Sequence, residues 1–168
     1  SAFYGLPQPG PTWAPAGQTP ILREGCQSAH WSVISAISSQ GHIYYQLQRT
    51  SYTGSEIAKF IRDLCQLNPQ PLLIIWDGAS IHRRQEVKDF LCTDHHEGRV
   101  PLAIRPAYSP QLNAAEPVWA WLKGGQLKTV CGKTLEELTP VVQKAFEKLT
   151  ATTAIIQNCF EHPEVAYY

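Results

Sequence analysis

The sequence contains 168 residues, and a chain of this size buries about 70 % of its unfolded surface when it folds as one domain. A hydrophobic content of 43 % with 17 % charged residues excludes a disordered or low-complexity chain. The 14 basic and 14 acidic side chains cancel, which argues against a dedicated nucleic-acid-binding domain, because such domains neutralise phosphates with excess Lys and Arg. We therefore expect a single domain over residues 1–168, in which any contact with DNA would be local.

The cysteines and apolar runs indicate a cellular compartment. No Cys-x-x-Cys pair occurs, which predicts reduced thiols in a cytosolic protein. The apolar runs are too short to span a bilayer and no signal peptide opens the chain, so we expect a cytoplasmic protein without a membrane segment. No methionine occurs at any position, which leads us to expect a fragment or a processed chain. The cysteines are Cys26, Cys65, Cys92, Cys131 and Cys159.

The first half of the chain predicts strands followed by a helix. Residues 1–29 are rich in Pro and Gly and predict only weak strands. Two β-branched and aromatic runs, His30–Ser38 and His42–Gln48, are separated by the three residues Ser39-Gln40-Gly41 and predict a β-hairpin. Thr53-Gly-Ser-Glu56 is a capping-box pattern, and the helix that it opens is expected to end at Asn68-Pro69.

The centre of the chain contains an apolar run, Leu72–Trp76, with no polar alternation. Such a run predicts a strand covered on both faces, as in the parallel part of an α/β sheet. Asp77-Gly78 is a turn signal at the carboxyl end of that strand, which is the edge where α/β proteins usually bind ligands. We therefore regard Asp77 as the first candidate site residue.

The second half alternates helices with one strand. We expect a helix over Arg83–Cys92, a polar loop over Thr93–Arg99, a short strand over Val100–Arg105, and then a helix that begins near Glu116 and frays at Gly124-Gly125. Apolar residues at helical spacing predict two further helices, over 134–149 and 155–160. Strands that start antiparallel and continue through helical crossovers indicate an α/β domain with a mixed sheet covered by helices.

Two carboxylates, Asp77 and Glu116, stand where they can converge on one edge of this sheet. Carboxylate oxygens suit Mg²⁺, which takes one or two protein carboxylates together with substrate phosphate. Two such ions about 4 Å apart can assist an in-line phosphoryl displacement. Simpler interpretations stay open: Asp77 suits a turn or a helix cap, and Asn113-Ala-Ala-Glu116 suits an ordinary capping box.

Two strings of the sequence resemble the catalytic core of DDE-superfamily transposases of the mariner-like group, in particular its bacterial insertion-sequence branch. They are Trp76-Asp-Gly-Ala-Ser-Ile-His82 and Pro106-Ala-Tyr-Ser-Pro-Gln-Leu-Asn-Ala-Ala-Glu-Pro-Val-Trp-Ala-Trp-Leu-Lys123. Thr12-Trp-Ala-Pro-Ala-Gly-Gln-Thr-Pro20 and the hairpin match the same family, so the resemblance extends from the first residues to about Lys123.

The resemblance implies a ribonuclease-H-like fold, with a mixed five-stranded sheet flanked by helices. It implies that Asp77 is the second catalytic Asp and Glu116 the catalytic Glu, and that both bind Mg²⁺ or Mn²⁺. The implied reaction is DNA cleavage and strand transfer at the ends of a transposable element, with element ends and target DNA as partners. Members of the family act in paired complexes, which implies a homodimer, and action on chromosomal DNA implies a nucleoid-associated protein. Three cations near the expected site are candidates for phosphate contacts: Arg83, Arg84 and Lys123.

The sequence departs from the family pattern at the first catalytic Asp. No Asp precedes Asp63, and Glu24 and Glu56 stand in an expected turn and helix cap. We therefore expect the chain to begin just after that Asp, two residues upstream of Ser1, and residues 1–168 alone to be inactive. An alternative that fits the same departure is a transposase-derived module that associates with DNA or protein without cutting. A third interpretation is an unrelated nuclease on the same fold.

Overall fold

The computed structural model describes residues 2–4, 15–18, 30–77, 79–94, 100–104, 112–127 and 134–161. The strands are β1 (Ala2–Tyr4), β2 (His30–Ile37), β3 (Ile43–Gln48), β4 (Ile74–Trp76) and β5 (Leu102–Ile104). The α-helices are α1 (Gly54–Leu67), α2 (Gln85–Asp94), α3 (Ala115–Trp121), α4 (Leu135–Ala151) and α5 (Thr153–Phe160). A 3₁₀ turn, Ser80–Arg83, precedes α2, and a π-helical turn, Leu122–Gln126, extends α3.

The predicted hairpin is confirmed. β2 and β3 pair antiparallel from Ile37 opposite Ile43 to Ser32 opposite Gln48. In the connection, the Gly41 N–H donates to the Ser38 carbonyl at 2.9 Å, and Gly41 has a φ of 89°. A three-residue hairpin loop requires such a left-handed residue, and glycine adopts that conformation without the steric cost of a Cβ.

Close packing against α5 also requires glycine at position 41. A Cβ built there would lie 2.8 Å from the Thr153 Cβ and 2.8 Å from the Thr153 carbonyl oxygen. Gln157 on the same helix donates from Nε2 to the Gln40 carbonyl at 3.3 Å. The hairpin loop therefore lies directly on α5.

The predicted single five-stranded sheet is not what the described residues form. Their strands pair as two sheets, an antiparallel one in the order β1-β2-β3 and a parallel one of β4 and β5. β1 and β4 have only three residues each, and the described part of β1 pairs with β2 alone. Strand pairing is set by contacts distant in sequence, so the apolar pattern of each strand could not specify which strands join.

The sheet around β2 separates two hydrophobic cores, because successive side chains of a strand point to opposite faces. Val33 and Ile43 pack in the first core with residues of α3, α4 and α5. Ile34, on the other face of β2, packs against the second core, which is formed mainly by α1 and α2. Helices thus cover both faces of this sheet, as the sequence predicts for an α/β domain.

β4 is shorter and less covered than the sequence predicts. Ile74 and Trp76 pack against the second core, whereas Leu73 and Ile75 are 63 % and 41 % exposed. The prediction that Leu72–Trp76 is covered on both faces is therefore wrong. The helix layer of α1 and α2 packs on one face only, and an unbroken apolar run cannot show how many faces are packed.

The predicted helix ends are confirmed at α1. The Thr53 N–H donates to Glu56 Oε2 at 2.7 Å and the Glu56 N–H donates to Thr53 Oγ1 at 3.3 Å, which is a complete capping box. The helix ends at Leu67, before Asn68-Pro69.

The predicted helices over 134–149 and 155–160 are confirmed as α4 and α5. At the start of α4, the Glu137 N–H donates to Thr134 Oγ1 at 3.3 Å. α5 begins at Thr153, two residues after α4 ends.

Two helix boundaries differ from the prediction. The helix expected over Arg83–Cys92 is divided, because its start is the 3₁₀ turn and α2 begins only at Gln85 and continues to Asp94. The fraying expected at Gly124-Gly125 does not occur. The Leu127 N–H donates to the Leu122 carbonyl at 2.9 Å across a π-helical turn, and both leucines are buried, so core packing keeps the glycines helical.

Other predictions are tested only in part. Cys65, Cys92 and Cys159 are not in disulfide bonds, while Cys26 and Cys131 lie outside the described residues. The first two residues of the loop predicted over 93–99 belong to α2, and residues 95–99 lie outside the described part. Among the described helices, none is long and apolar enough to cross a bilayer.

We expect Gly41→Ala to destabilise the protein more than Gly17→Ala. Gly17 also has a positive φ, 79°, but a Cβ there would meet no atom within 4 Å. A left-handed alanine costs about 1–2 kcal/mol, and overpacking against Thr153 should add about 1–3 kcal/mol at position 41 only. Urea denaturation of both variants measures the difference in free energy of unfolding, and equal losses would show that the contact with α5 carries no energy.

The capping box should make stability depend on pH. The pKa of Glu56 lies below its ordinary value of 4.5, because the Thr53 backbone N–H and then the Thr53 hydroxyl donate to the carboxylate. This contribution is fully present above the unfolded-state pKa and is lost as pH falls through the lower folded-state pKa. Glu56→Gln should therefore flatten the loss of stability in acid, as measured by urea denaturation at several pH values. Glu147→Gln on α4 is the matched control and should leave that slope unchanged.

Candidate active site at the carboxyl end of β4

Asp77 is the first residue after β4, and its side chain is 52 % exposed. β4 runs parallel to β5, with Trp76 opposite Ile104. Because the strands are parallel, both end at the same edge of their sheet, and the segment leading to α3 begins there. This edge is where open α/β sheets bind ligands.

One oxygen of the Asp77 carboxylate has two polar neighbours. The Ala79 N–H donates to Oδ1 at 3.1 Å, and His82 Nε2 lies 3.2 Å from the same oxygen. The turn interpretation of Asp77 is therefore correct, since a side chain that accepts from the N–H two residues on forms an Asx turn. Both contacts use Oδ1, so the turn leaves Oδ2 for a ligand.

His82 is held in the 3₁₀ turn by packing. Its ring stacks on the Trp76 indole, with centroids 4.6 Å apart and planes 21° apart, and its side chain is only 21 % exposed. Burial lowers the pKa of His82, and the Asp77 carboxylate opposes this shift without cancelling it. The lowered pKa of His82 favours the neutral imidazole over its charged form.

Glu116 lies in the first turn of α3 and is exposed. Asn113 Nδ2 donates to Glu116 Oε1 at 3.3 Å, and Asn113 Oδ1 accepts from the Ala115 N–H at 3.2 Å. These bonds are not the reciprocal pair of a capping box, which α1 forms at Thr53 and Glu56. Asn113 thus orients the Glu116 side chain, and the carboxylate itself caps no backbone N–H in this arrangement.

Residues beyond Glu116 anchor α3 in the first core. Val118 and Leu122 are 2 % and 0 % exposed. Trp119 and Trp121 are half-buried against the same core, so they serve packing. The position of Glu116 is therefore set by helix packing, although its own side chain is exposed.

The three predicted phosphate-binding cations have different surroundings. Arg83 and Arg84 are exposed at the end of the 3₁₀ turn that begins three residues after Asp77. Lys123 is half-buried in the π-helical turn and already has an interaction there. The two arginines are consequently more accessible to a ligand than Lys123.

The structure brings His82 against Asp77, a contact that the sequence analysis did not predict. The sequence contains the signal for this contact, because Asp77 and His82 are five residues apart and the 3₁₀ turn between them brings the two side chains together. The shared position of Asp77 and Glu116 stays a prediction. In the described ranges no group of three or more His, Cys, Asp or Glu side chains is arranged to hold a metal.

The carboxylate oxygens of Asp77 and Glu116 are still of the chemical type that binds a hard divalent cation. Asp77 offers Oδ2, and Glu116 offers an exposed carboxylate at a packed helix start. Oxygen donors of this type are the ones that Mg²⁺ and Mn²⁺ prefer. The residues fit such an ion as two ligands of a site that needs further ones from water, substrate or another carboxylate.

The fold of this chain is similar to that of solved mariner transposase structures. The Mos1 strand transfer complex superimposes with a TM-score of 0.75 at 17 % identity, covering 98 % of this chain and 49 % of that one. The Mos1 paired end complex with Mn gives 0.74 at 17 % identity, covering 98 % and 50 %. The Mos1 catalytic domain alone gives 0.65 at 17 % identity, covering 81 % and 70 %. The chain has the ribonuclease-H-like fold of that catalytic domain. It spans about half the length of the Mos1 transposase chains in the strand transfer and paired end complexes.

The sequence also matches the family profile described as DDE superfamily endonuclease, over residues 1–139. This match covers most of the chain, so the protein belongs to the DDE superfamily endonucleases. A search among curated proteins found no match.

Glu116→Gln and Asn113→Ala should affect stability differently. Gln keeps an oxygen that accepts from Asn113, so we expect a change of no more than about 1 kcal/mol in the free energy of unfolding. Asn113→Ala removes the acceptor for the Ala115 N–H and should cost about 1 kcal/mol. Thermal and urea denaturation measure both. A large loss in Glu116→Gln alone would identify Glu116 as a structural cap and direct the search for the catalytic Glu to Glu136 or Glu137.

Proposed function

We propose that this domain is the metal-dependent nuclease core of a transposase, which cuts DNA at the ends of a transposable element and joins them to a target. The observation that carries the proposal is the position of the Asp77 carboxylate at the carboxyl end of β4, in a chain of the DDE endonuclease family. The carboxylate is held in the turn through Oδ1, and neither contact of that oxygen uses Oδ2. The Mos1 structures obtained with Mn and with Mg support the choice of cation.

Asp77 and Glu116 are the proposed ligands of Mg²⁺ or Mn²⁺. When bound, such ions activate a water or a 3′-hydroxyl and stabilise the leaving oxygen in an in-line displacement. The protein's own part is orientation. The Asx turn holds Asp77, and Asn113 together with the packed start of α3 holds Glu116.

DNA is the proposed partner, bound through local charge, since the net charge of the chain is zero. Arg83 and Arg84 are exposed beside Asp77 in the chain and are proposed to contact phosphates, with Lys123 as a further candidate. The paired-end and strand-transfer complexes of Mos1 support element ends and target DNA as substrates, and a second copy of the chain as partner. Such a protein would act in the cytoplasm, at the nucleoid.

A non-cutting, transposase-derived association module is the second candidate. One observation favours it: in the described part of the chain, no group of three or more His, Cys, Asp or Glu side chains is arranged to hold a metal ion. A first catalytic Asp upstream of Ser1, as expected from the sequence, would remove that objection. The two candidates differ in whether Asp77 and Glu116 bind a metal ion.

We expect the chain to bind Mn²⁺ weakly through Asp77 and Glu116. Asp77→Asn and Glu116→Gln should each lower the affinity by more than about 10-fold, because a neutral amide is a poor ligand for a hard cation. Water-proton relaxation during a Mn²⁺ titration measures this affinity. Glu147→Gln replaces an exposed helical glutamate elsewhere and should leave it unchanged.

DNA cleavage is the second measurement on the same variants. Residues 1–168 alone should cut little, and a chain extended upstream to include the first Asp should cut element ends with Mg²⁺. In the extended chain Asp77→Asn and Glu116→Gln should reduce cleavage by orders of magnitude with little change in melting temperature. Unchanged Mn²⁺ affinity and unchanged cleavage in both variants would favour the association module.

A further inference from the structure

β3 lies at an edge of its sheet. Within the part of the chain that the structure describes, the sheet order is β1-β2-β3 and β3 pairs with β2 alone. Beside the hairpin loop the Ser38 N–H donates to the His42 carbonyl at 2.9 Å, so these two residues form a hydrogen-bonded pair. Such pairs alternate with non-hydrogen-bonded ones along an antiparallel ladder. The backbone N–H and C=O groups of Ile43, Tyr45 and Leu47 are therefore directed away from β2, toward the outer side of the strand.

The sequence of β3 has none of the features that usually protect an edge strand. Natural proteins blunt such edges with Lys, Pro, a bulge or a very short strand. β3 is six residues long, Ile43–Gln48, and contains no charged residue and no Pro. Its register with β2 is continuous over that range, so no bulge interrupts it. An edge of this kind is suited to accepting a further strand.

A groove runs along β3 between α1 and α4. It has a volume of about 570 Å³ and is open to solvent. Leu67, at the end of α1, lines it and is 66 % exposed. Tyr45 of β3 stacks on Phe146 of α4, with ring centroids 4.1 Å apart, which holds this wall of the groove against the strand. Asp77 and Glu116 do not line the groove, so its role is independent of the proposed function.

The charged residues that line the groove are both acidic, Asp63 on α1 and Glu147 on α4. Gln46 donates to Asp63 Oδ2 at 3.2 Å and Lys59 pairs with the same oxygen at 3.1 Å, so the Asp63 charge is partly compensated. Glu147 is exposed and forms no ion pair within the described ranges. Burial raises the pKa of Tyr45, and the charge of Glu147 raises it further, which places that charge near the strand. The groove therefore carries uncompensated negative charge.

We propose that this groove binds an extended peptide segment of another protein, which adds to the sheet as a strand beside β3 and carries basic side chains. The outward backbone groups of Ile43, Tyr45 and Leu47 supply its hydrogen bonds. Successive side chains of a strand point to opposite faces, so two adjacent basic residues are directed to Asp63 on the α1 side and to Glu147 on the α4 side. A second copy of this chain suits the groove less well, because pairing of two identical grooves would bring like charges together.

A short synthetic peptide tests the proposal. The probe is acetyl-Thr-Val-Lys-Lys-Val-Thr-amide, and the control peptide has Glu-Glu in place of Lys-Lys. Hydrogen exchange of single backbone amides, followed by NMR, reports which amides the peptide protects. With about 90 % of the chain bound, exchange should slow by up to about 10-fold at Ile43, Tyr45 and Leu47. Exchange at Tyr44 and Gln46, which already pair with β2, should stay unchanged.

N-methylation of the peptide separates strand addition from attraction between charges. Only alternate residues of an added strand hydrogen-bond to β3, so two Lys-Lys peptides are compared, each N-methylated at one of the two alternating sets of positions. We expect one of them to bind more than about 10-fold more weakly than the unmodified peptide and the other to keep its affinity. Equal affinities for the two N-methylated peptides would overturn strand addition.

Reversal of one charge in the protein tests the acidic wall. Glu147→Lys should weaken binding of the Lys-Lys peptide by about 5-fold and strengthen binding of the Glu-Glu peptide by a similar factor, which is the scale of an exposed ion pair. Glu161→Lys, at an exposed position after α5, changes the net charge equally and is the matched control. It should change neither affinity. Equal affinities of the wild type for the two peptides would overturn the basic character of the partner.

The pattern of protection identifies any other occupant. Protection that is absent, or that is equal at odd and even positions of β3, would overturn the proposal. Slow exchange at Ile43, Tyr45 and Leu47 in the free protein would also overturn it, since the edge would already be occupied. In that case, protection that falls on dilution identifies a second copy, and protection independent of concentration identifies another segment of this chain. None of these outcomes depends on Mn²⁺ binding, which tests the proposed function separately.

Discussion

The alternation of side chains along β2 is the constraint on which the rest of the domain depends. Val33 points into the core of α3, α4 and α5, and Ile34, its neighbour, points into the core of α1 and α2. A strand with apolar residues on both faces cannot be slipped by one residue without exchanging the contents of both cores. The register of the β2–β3 hairpin therefore fixes how the two helix layers lie relative to each other.

The two candidate ligands belong to different cores. Asp77 follows Trp76, which packs in the second core, and Glu116 precedes Val118, which is buried in the first. Neither carboxylate is itself buried, so each is positioned by apolar neighbours one or two residues away. Close packing transmits small displacements, which means that a cavity in either core can move one ligand relative to the other. Activity in such a site is expected to be sensitive to core substitutions that leave both carboxylates intact.

Sequence reasoning succeeded where the determinants are local. The capping box at Thr53 and Glu56 and the glycine of the hairpin loop are each specified within four residues, and both form as predicted. Sequence reasoning failed where contacts between residues far apart in the sequence determine the structure. The division of the strands into two sheets, the exposed face at Ile75 and the π-helical turn between Leu122 and Leu127 all depend on what packs against the segment.

The site shows the same division between local and distant determinants. The contact of His82 with Asp77 is local in sequence, but the burial that lowers the pKa of His82 depends on the packing of its ring, which stacks on Trp76. Recognising Asp77 as a turn residue would not have excluded a catalytic role. The Ala79 N–H donates to Oδ1, and a restraint on one oxygen of a carboxylate limits the directions in which the other can point. The structural and the chemical interpretations of Asp77 are therefore compatible, and the turn is a means of orienting the ligand.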